Sequence, residues 1–350
     1  MLALAAPALA SGSTALRGAA DAQADSWTAT ASMAAPRAVM SATTLGNGRV
    51  LVVGGVGVTT AELYDGATAT WLPGGTLNES RGLHVAVRLA DGRVLVAGGG
   101  TYRATAELYD PATNSWTSTG SMHVGRIEAT GTQLQDGRVL VVGGLAGDGT
   151  GVQASAELYD PATGSWTPTG SMRDRRDGHS ATLLPDGTVL VAGGANSGGW
   201  LQSAELYDPV RGRWSRTRPM TIARNHPSAT LLGNGRVLVA AGTAATLSAE
   251  LYDPASRTWT RTGRMTDYHG PTSVLLQDGR VLVVGGGTGD IYSPATGTWT
   301  ATSPMASFPS PYAAAALLPS GQVLVAGGYD SSCQKFGGCQ PLAAAALYSP

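Results

Sequence analysis

EATGTQLQDGRVLVVGGLAGDGTGVQASAELYDPATGSWTPTGSM, residues 128 to 172, reads as four short strands separated by turns. EATGTQLQ is the first, and the DG at 136 and 137 favours a tight hairpin into RVLVVGG, because glycine tolerates positive φ. A loop leads to SAELYD, and PATG turns the chain again into SWTPTGSM. The run VLVV is apolar at every position, which suits a strand covered on both faces. A lone four-stranded sheet with two apolar faces is not stable in water. Copies of the unit must therefore pack face to face around an axis.

The copies are present along the chain. The glycine-ended phrase recurs as GRVLVVGG (48–55), GRVLVAGG (92–99), GRVLVVGG (137–144), GTVLVAGG (187–194), GRVLVVGGG (279–287) and GQVLVAGG (321–328). GRVLVAAG (235–242) is a seventh copy, with Ala241 in place of the first glycine. A tyrosine follows each phrase, at 64, 109, 159, 207, 252, 292 and 348. The first six of these are each followed seven residues later by Trp71, Trp116, Trp166, Trp214, Trp259 and Trp299. The seventh sits in AAAALYSP, where the sequence stops before a tryptophan. ADSWTATASM (24–33) supplies the complementary piece: a tryptophan-bearing fourth strand with no first three strands before it.

The VLVxGG phrases and the Tyr-x6-Trp pairs resemble the kelch repeat over nearly all of residues 25 to 350. The resemblance implies an all-β, seven-bladed kelch-type β-propeller of galactose-oxidase-like type. In it the N-terminal Trp27 strand pairs with the C-terminal blade and removes an exposed edge. Residues 24–350 form this domain. Residues 1–23 are an Ala-rich tail or the remnant of a secretory signal, since MLALAAPALASGS ends its apolar run in small residues. That run is too short to span a bilayer, so no transmembrane anchor is expected. A secreted or cell-envelope location follows if it is a signal, and a cytoplasmic one if it is not. Cys333 and Cys339 lie close enough for a small-loop disulfide in an oxidising compartment.

With 23 basic against 24 acidic residues, the chain lacks the broad positive field that nucleic acid or anionic membranes require. Its working surface is one face of the disc. Turns between strands one and two and between three and four are minimal, whereas the two-to-three loops and the links between blades are long and variable. Binding belongs on that second face. Trp200, outside the repeat position in ANSGGWLQSA, is a candidate contact for a sugar or peptide.

Four residues beyond the Met or Leu that ends each fourth strand stand Arg37, Arg81, Arg126, Arg176 and Arg224, then His269 and Pro309. In kelch modules that act as substrate adaptors, arginines at this place line the mouth and bind acidic peptide segments. The resemblance implies the same here, and planar guanidinium forks match carboxylates well. Alternatively, these arginines satisfy loop carbonyls and the repeated Glu62, Glu107, Glu157, Glu205 and Glu250. His84, His179 and His226 follow their arginines closely, and His179 joins the densest polar cluster, SMRDRRDGHSAT (171–182).

Galactose-oxidase-like proteins hold copper with two Tyr and two His, with a Cys bonded to one Tyr. Here the two cysteines both fall in the last blade and the histidines are dispersed, so neither a metal nor another cofactor is expected. The reading is a monomeric binding protein presenting an Arg-rich loop face to a peptide, protein or glycan. The alternative is a carbohydrate-active enzyme, mutarotase-like or oxidase-like, working at the central mouth.

Overall fold

The computed structural model describes residues 25–242, 247–268, 270, 272–285, 287–305, 312–330 and 339–350. Among them the protein is all-β, with seven four-stranded antiparallel sheets, two small ribbons and three isolated bridges on the loops. Sheet 1 runs through Ser41–Thr44, Val50–Val53, Thr60–Asp65 and Thr70–Thr76. Sheets 2 to 6 repeat the meander, with first strands Val85–Arg88, Thr130–Gln133, Ser180–Leu183, Ser228–Leu231 and Thr272–Leu275. Sheet 7 takes Ala314–Leu317, Val323–Ala326 and Ala345–Ser349 from the end of the chain. Its fourth strand is Ser26–Thr30, antiparallel to Ala345–Ser349 with Trp27 opposite Tyr348.

The period of two in the second strand explains the packing. In sheet 3, Val139 and Val141 point into a cluster shared with sheet 2, whereas Leu140 and Val142 point into one shared with sheet 4. Each of the seven apolar clusters likewise straddles two consecutive sheets. The one containing Val50, Val52 and Tyr64 of sheet 1 also contains Leu324 and Ala326 of sheet 7. No sheet owns a core of its own.

Aromatic residues tie the outer strands together. Tyr159 lies opposite Trp166 with ring centroids 5.0 Å apart, and Trp27 and Tyr348 repeat that spacing. The indole N–H of each repeat tryptophan donates to the preceding sheet: Trp166 to Gly120 O at 2.7 Å, Trp214 to Gly170 O at 2.7 Å. Trp27 donates to Thr302 Oγ1 at 3.0 Å and so takes the same role between sheets 6 and 7. Asp25 accepts hydrogen bonds from the Tyr348 hydroxyl and from Arg280 beside it.

Candidate functional site at the central mouth

The arginines expected at the mouth are inside the protein. Arg37, Arg81, Arg126, Arg176 and Arg224 are at most 1% exposed, in the links that enter sheets 1 to 5. Arg176 Nη1 donates to Gly193 O at 2.6 Å and Ser203 O at 3.0 Å, and its Nη2 donates to Glu205 Oε1 at 3.0 Å. Glu205 also accepts the backbone N–H groups of Arg173 and Asp174. The same ion pair forms as Arg37 with Glu62, Arg81 with Glu107, Arg126 with Glu157 and Arg224 with Glu250. The ligand-binding expectation for these five residues is therefore corrected. A buried guanidinium whose Nη donors are spent on its own sheet does not reach an acidic peptide, although Nε of Arg176 and of Arg224 is left without a partner.

The glycine pair and the arginine form one joint. The first glycine's carbonyl, or that of Ala241 in sheet 5, accepts from the arginine of its own sheet. The second glycine's N–H donates to the main-chain carbonyl of the next arginine, as Gly144 to Arg176 O at 2.9 Å and Gly328 to Arg37 O at 2.7 Å. The approach excludes a side chain: at Gly194 (φ 92°) a Cβ would stand 2.5 Å from Asp177 O. Sheets 6 and 7 place Asp290 and Ala346 where the others carry glutamate, and four residues beyond Met265 and Met305 their links carry His269 and Pro309 in place of the arginine. The two partners come and go together.

Two places before each first strand stand Val39, Leu83, Glu128, Gly178, His226, Gly270 and Tyr312, and all but Gly270 line the mouth. Six of the seven, all but Gly270, have positive φ between 52° and 66°, an uncommon conformation that for Val39 carries real strain. Main-chain bonds pass from one to the next: Leu83 N to Val39 O, Glu128 N to Leu83 O, Gly178 N to Glu128 O, and His226 N to Gly178 O at 2.7 Å. This belt, from Val39 to His226, borders a cavity of about 330 Å³, lined by Leu83, Glu128, His226, Thr272 and Tyr312 among others. That volume suits a small ligand.

Inside the mouth, His226 Nε2 lies 3.4 Å from Glu128 Oε2, reaching across the link of sheet 4. Gly178 makes this possible, because a Cβ there would stand 2.6 Å from the His226 ring. Tyr312 meets His226 edge-on at 6.5 Å and Tyr329 edge-on at 6.1 Å. Burial holds His226 below the ordinary imidazole range. Burial, and then the charge of Asp177, pushes Glu128 up, and burial raises Asp177 as well. Neutral imidazole beside a half-buried carboxylate leaves the mouth without a cation among the described residues.

His179 also lines this cavity but is buried at 6% exposure, with Nε2 2.8 Å from Thr130 Oγ1. His84 makes the matching contact to Ser41 Oγ at 2.8 Å. Burial, followed by the adjacent arginine, holds His84 at about 4 and His179 at about 3. The unfolded chain takes up their protons below pH 6.5 while the folded one does not. Stability is therefore fully present above pH 6.5 and is lost as pH falls toward those values, by at most about 1.4 kcal/mol per pH unit for each group. Urea unfolding between pH 7 and 4 is expected to give a shallower pH slope for His179→Gln than for the wild type. Parallel slopes would mean that His179 is not held neutral.

Trp200 is 54% exposed on a two-residue ribbon, opposite Ala195, and does not line the mouth. His269, Cys333 and residues 1–23 lie outside the described residues, and with them the proposed Cys333–Cys339 bridge. Among the described residues no helix is long and apolar enough to cross a membrane.

The Kelch motif family matches residues 131–173 and 178–221, which fall on sheets 3 and 4. Two curated galactose oxidases from Gibberella zeae are each 37% identical over 54 residues, 15% of this chain and 8% of theirs. The chain thus matches less than a tenth of those relatives' length. A solved fungal alcohol oxidase of the AA5 family, in complex with copper, is similar with a TM-score of 0.77 at 20% identity, covering 93% of this chain and 76% of that one. No three His, Cys, Asp or Glu among the described residues converge as a ligand set, and His84 and His179 direct Nε2 at hydroxyls.

Proposed function

We propose that the chain, two units of which match the Kelch motif and whose fold resembles that of a galactose-oxidase-like protein, is a binding module whose central mouth takes a small hydroxylated ligand, such as the end unit of a glycan. In this reading the seven sheets are the blades of a ring that the Trp27 strand closes, and the mouth is the axial opening. The observation that carries it is the 330 Å³ cavity in which a carboxylate, an imidazole and an exposed tyrosine ring meet. Acceptors that hydrogen-bond hydroxyl groups beside an aromatic edge are what a sugar ring needs. The similar proteins, named for galactose and for alcohols, support hydroxylated ligands. Trp200 extends the same face as an outer contact for a longer chain.

Glycan-array screening followed by titration calorimetry tests the reading. Tyr312→Ala is expected to weaken binding at least tenfold, and Trp200→Ala less. Binding unchanged by Tyr312→Ala would remove the mouth from the function.

One observation favours a catalytic use of the same residues. Burial pushes Glu128 up and His226 down, which brings the proton affinities of the two groups toward each other, as a general acid–base pair requires. Anomerisation of a bound sugar needs only such a pair, with Glu128 protonating the ring oxygen and His226 taking the anomeric hydroxyl proton. Following anomer ratios by proton NMR with wild type and Glu128→Gln checks it.

A further inference from the structure

We propose that the ligand of the mouth carries a protonated amine, held between the Glu128 carboxylate and the Tyr312 ring. This rests on the mouth being the binding site, and it names the chemical class that the site selects. The sequence alone suggested the opposite sign, a ring of arginines for acidic groups. With all five arginines buried and paired, that positive charge is spent inside the joints between sheets. What remains at the opening among the described residues is acidic.

The five buried glutamates each have an arginine, but Glu128 faces only the His226 ring, at 3.4 Å. Asp177, on the neighbouring link, adds to the negative field at Glu128. Tyr312 is 43% exposed at the mouth, and its ring presents the negative face that attracts ammonium groups. An ammonium brings three donors and no acceptor, which answers a carboxylate and an aromatic face together. An anionic sugar or an acidic peptide would meet like charge at Glu128.

The amine can belong to an amino sugar or to a lysine-like side chain, and the probes separate the two. Titration calorimetry of the full chain at pH 7.5 compares glucosamine, N-acetylglucosamine, glucose and Nα-acetyl-lysine N-methylamide. Glucosamine is expected to bind at least tenfold more tightly than the two neutral sugars, and Glu128→Gln to abolish that preference while Tyr312→Phe keeps it. A preference shown by the lysine derivative and not by glucosamine assigns the amine to a peptide and upholds the proposal. Equal binding of all three sugars overturns the amine, and if Tyr312→Ala then weakens them all, the mouth still stands as the binding site. Failure of every amine probe to bind also overturns it. Circular dichroism of Glu128→Gln separates lost recognition from lost fold.

Discussion

Arg176→Ala lowers the unfolding free energy by about 3–5 kcal/mol, the cost expected when one partner of a buried ion pair is removed. Glu205 is 0% exposed, and the substitution leaves its carboxylate with backbone N–H donors and no counter-charge. The carbonyls of Gly193 and Ser203 lose their donor at the same time. The double change Arg176→Met with Glu205→Leu removes the stranded charge and is expected to recover part of the loss, the two carbonyls accounting for the remainder. Urea unfolding followed by tryptophan fluorescence measures both. A single variant within 1 kcal/mol of the wild type, a margin typical of exposed ion pairs, would mean that the pair is solvated and the arginine free to bind ligand.

Deleting residues 25–33 is expected to have the second large effect, because it strips sheet 7 of its outer strand. Ala345–Ser349 becomes an unpaired edge, a template for pairing with other chains. The deletion also removes Met33, at 4% exposure, from the cluster between sheets 7 and 1, and Trp27 from the one between sheets 6 and 7. Burial of those two side chains is worth about 3–6 kcal/mol. Size-exclusion chromatography should reveal soluble aggregates, and thermal unfolding should lose its single cooperative transition. A peptide spanning residues 25–35, added in trans, is expected to restore the monomer. A deletion variant that stays monomeric with an unchanged melt would refute a closing role for this strand.

Much of the frame was legible because its constraints are local and repeated. VLVV must be covered on two faces, DG must turn, and Tyr and Trp at fixed spacing must meet, so one unit read correctly is read seven times. The direction of the arginines was not legible. Their positions are the same whether they point outward or inward, and the glutamates that decide the matter lie 25 to 31 residues further on, across loops of unequal length. Counting from the end of the fourth strand also slips in the last two links: Met265 stands seven residues before Thr272, and Met305 nine before Ala314. Glu128 and Tyr312 escaped for a different reason, and His226 drew notice only as a histidine near its arginine. Their shared position carries a different residue type in nearly every repeat, so no motif marks it. The signal that could have found Glu128 and His226 was the variability itself, two residues after the arginine that five links share.

The belt of main-chain bonds around the mouth has a consequence for how such a protein changes over time. Leu83, Glu128 and His226 are held by main-chain amide groups that every residue except proline possesses, whereas Gly178 has no room for a Cβ. The side chains at the first three positions can therefore be exchanged among residues that tolerate positive φ while the scaffold beneath them stays the same. Recognition and folding draw on separate sets of residues, and selection can rewrite the first one position at a time.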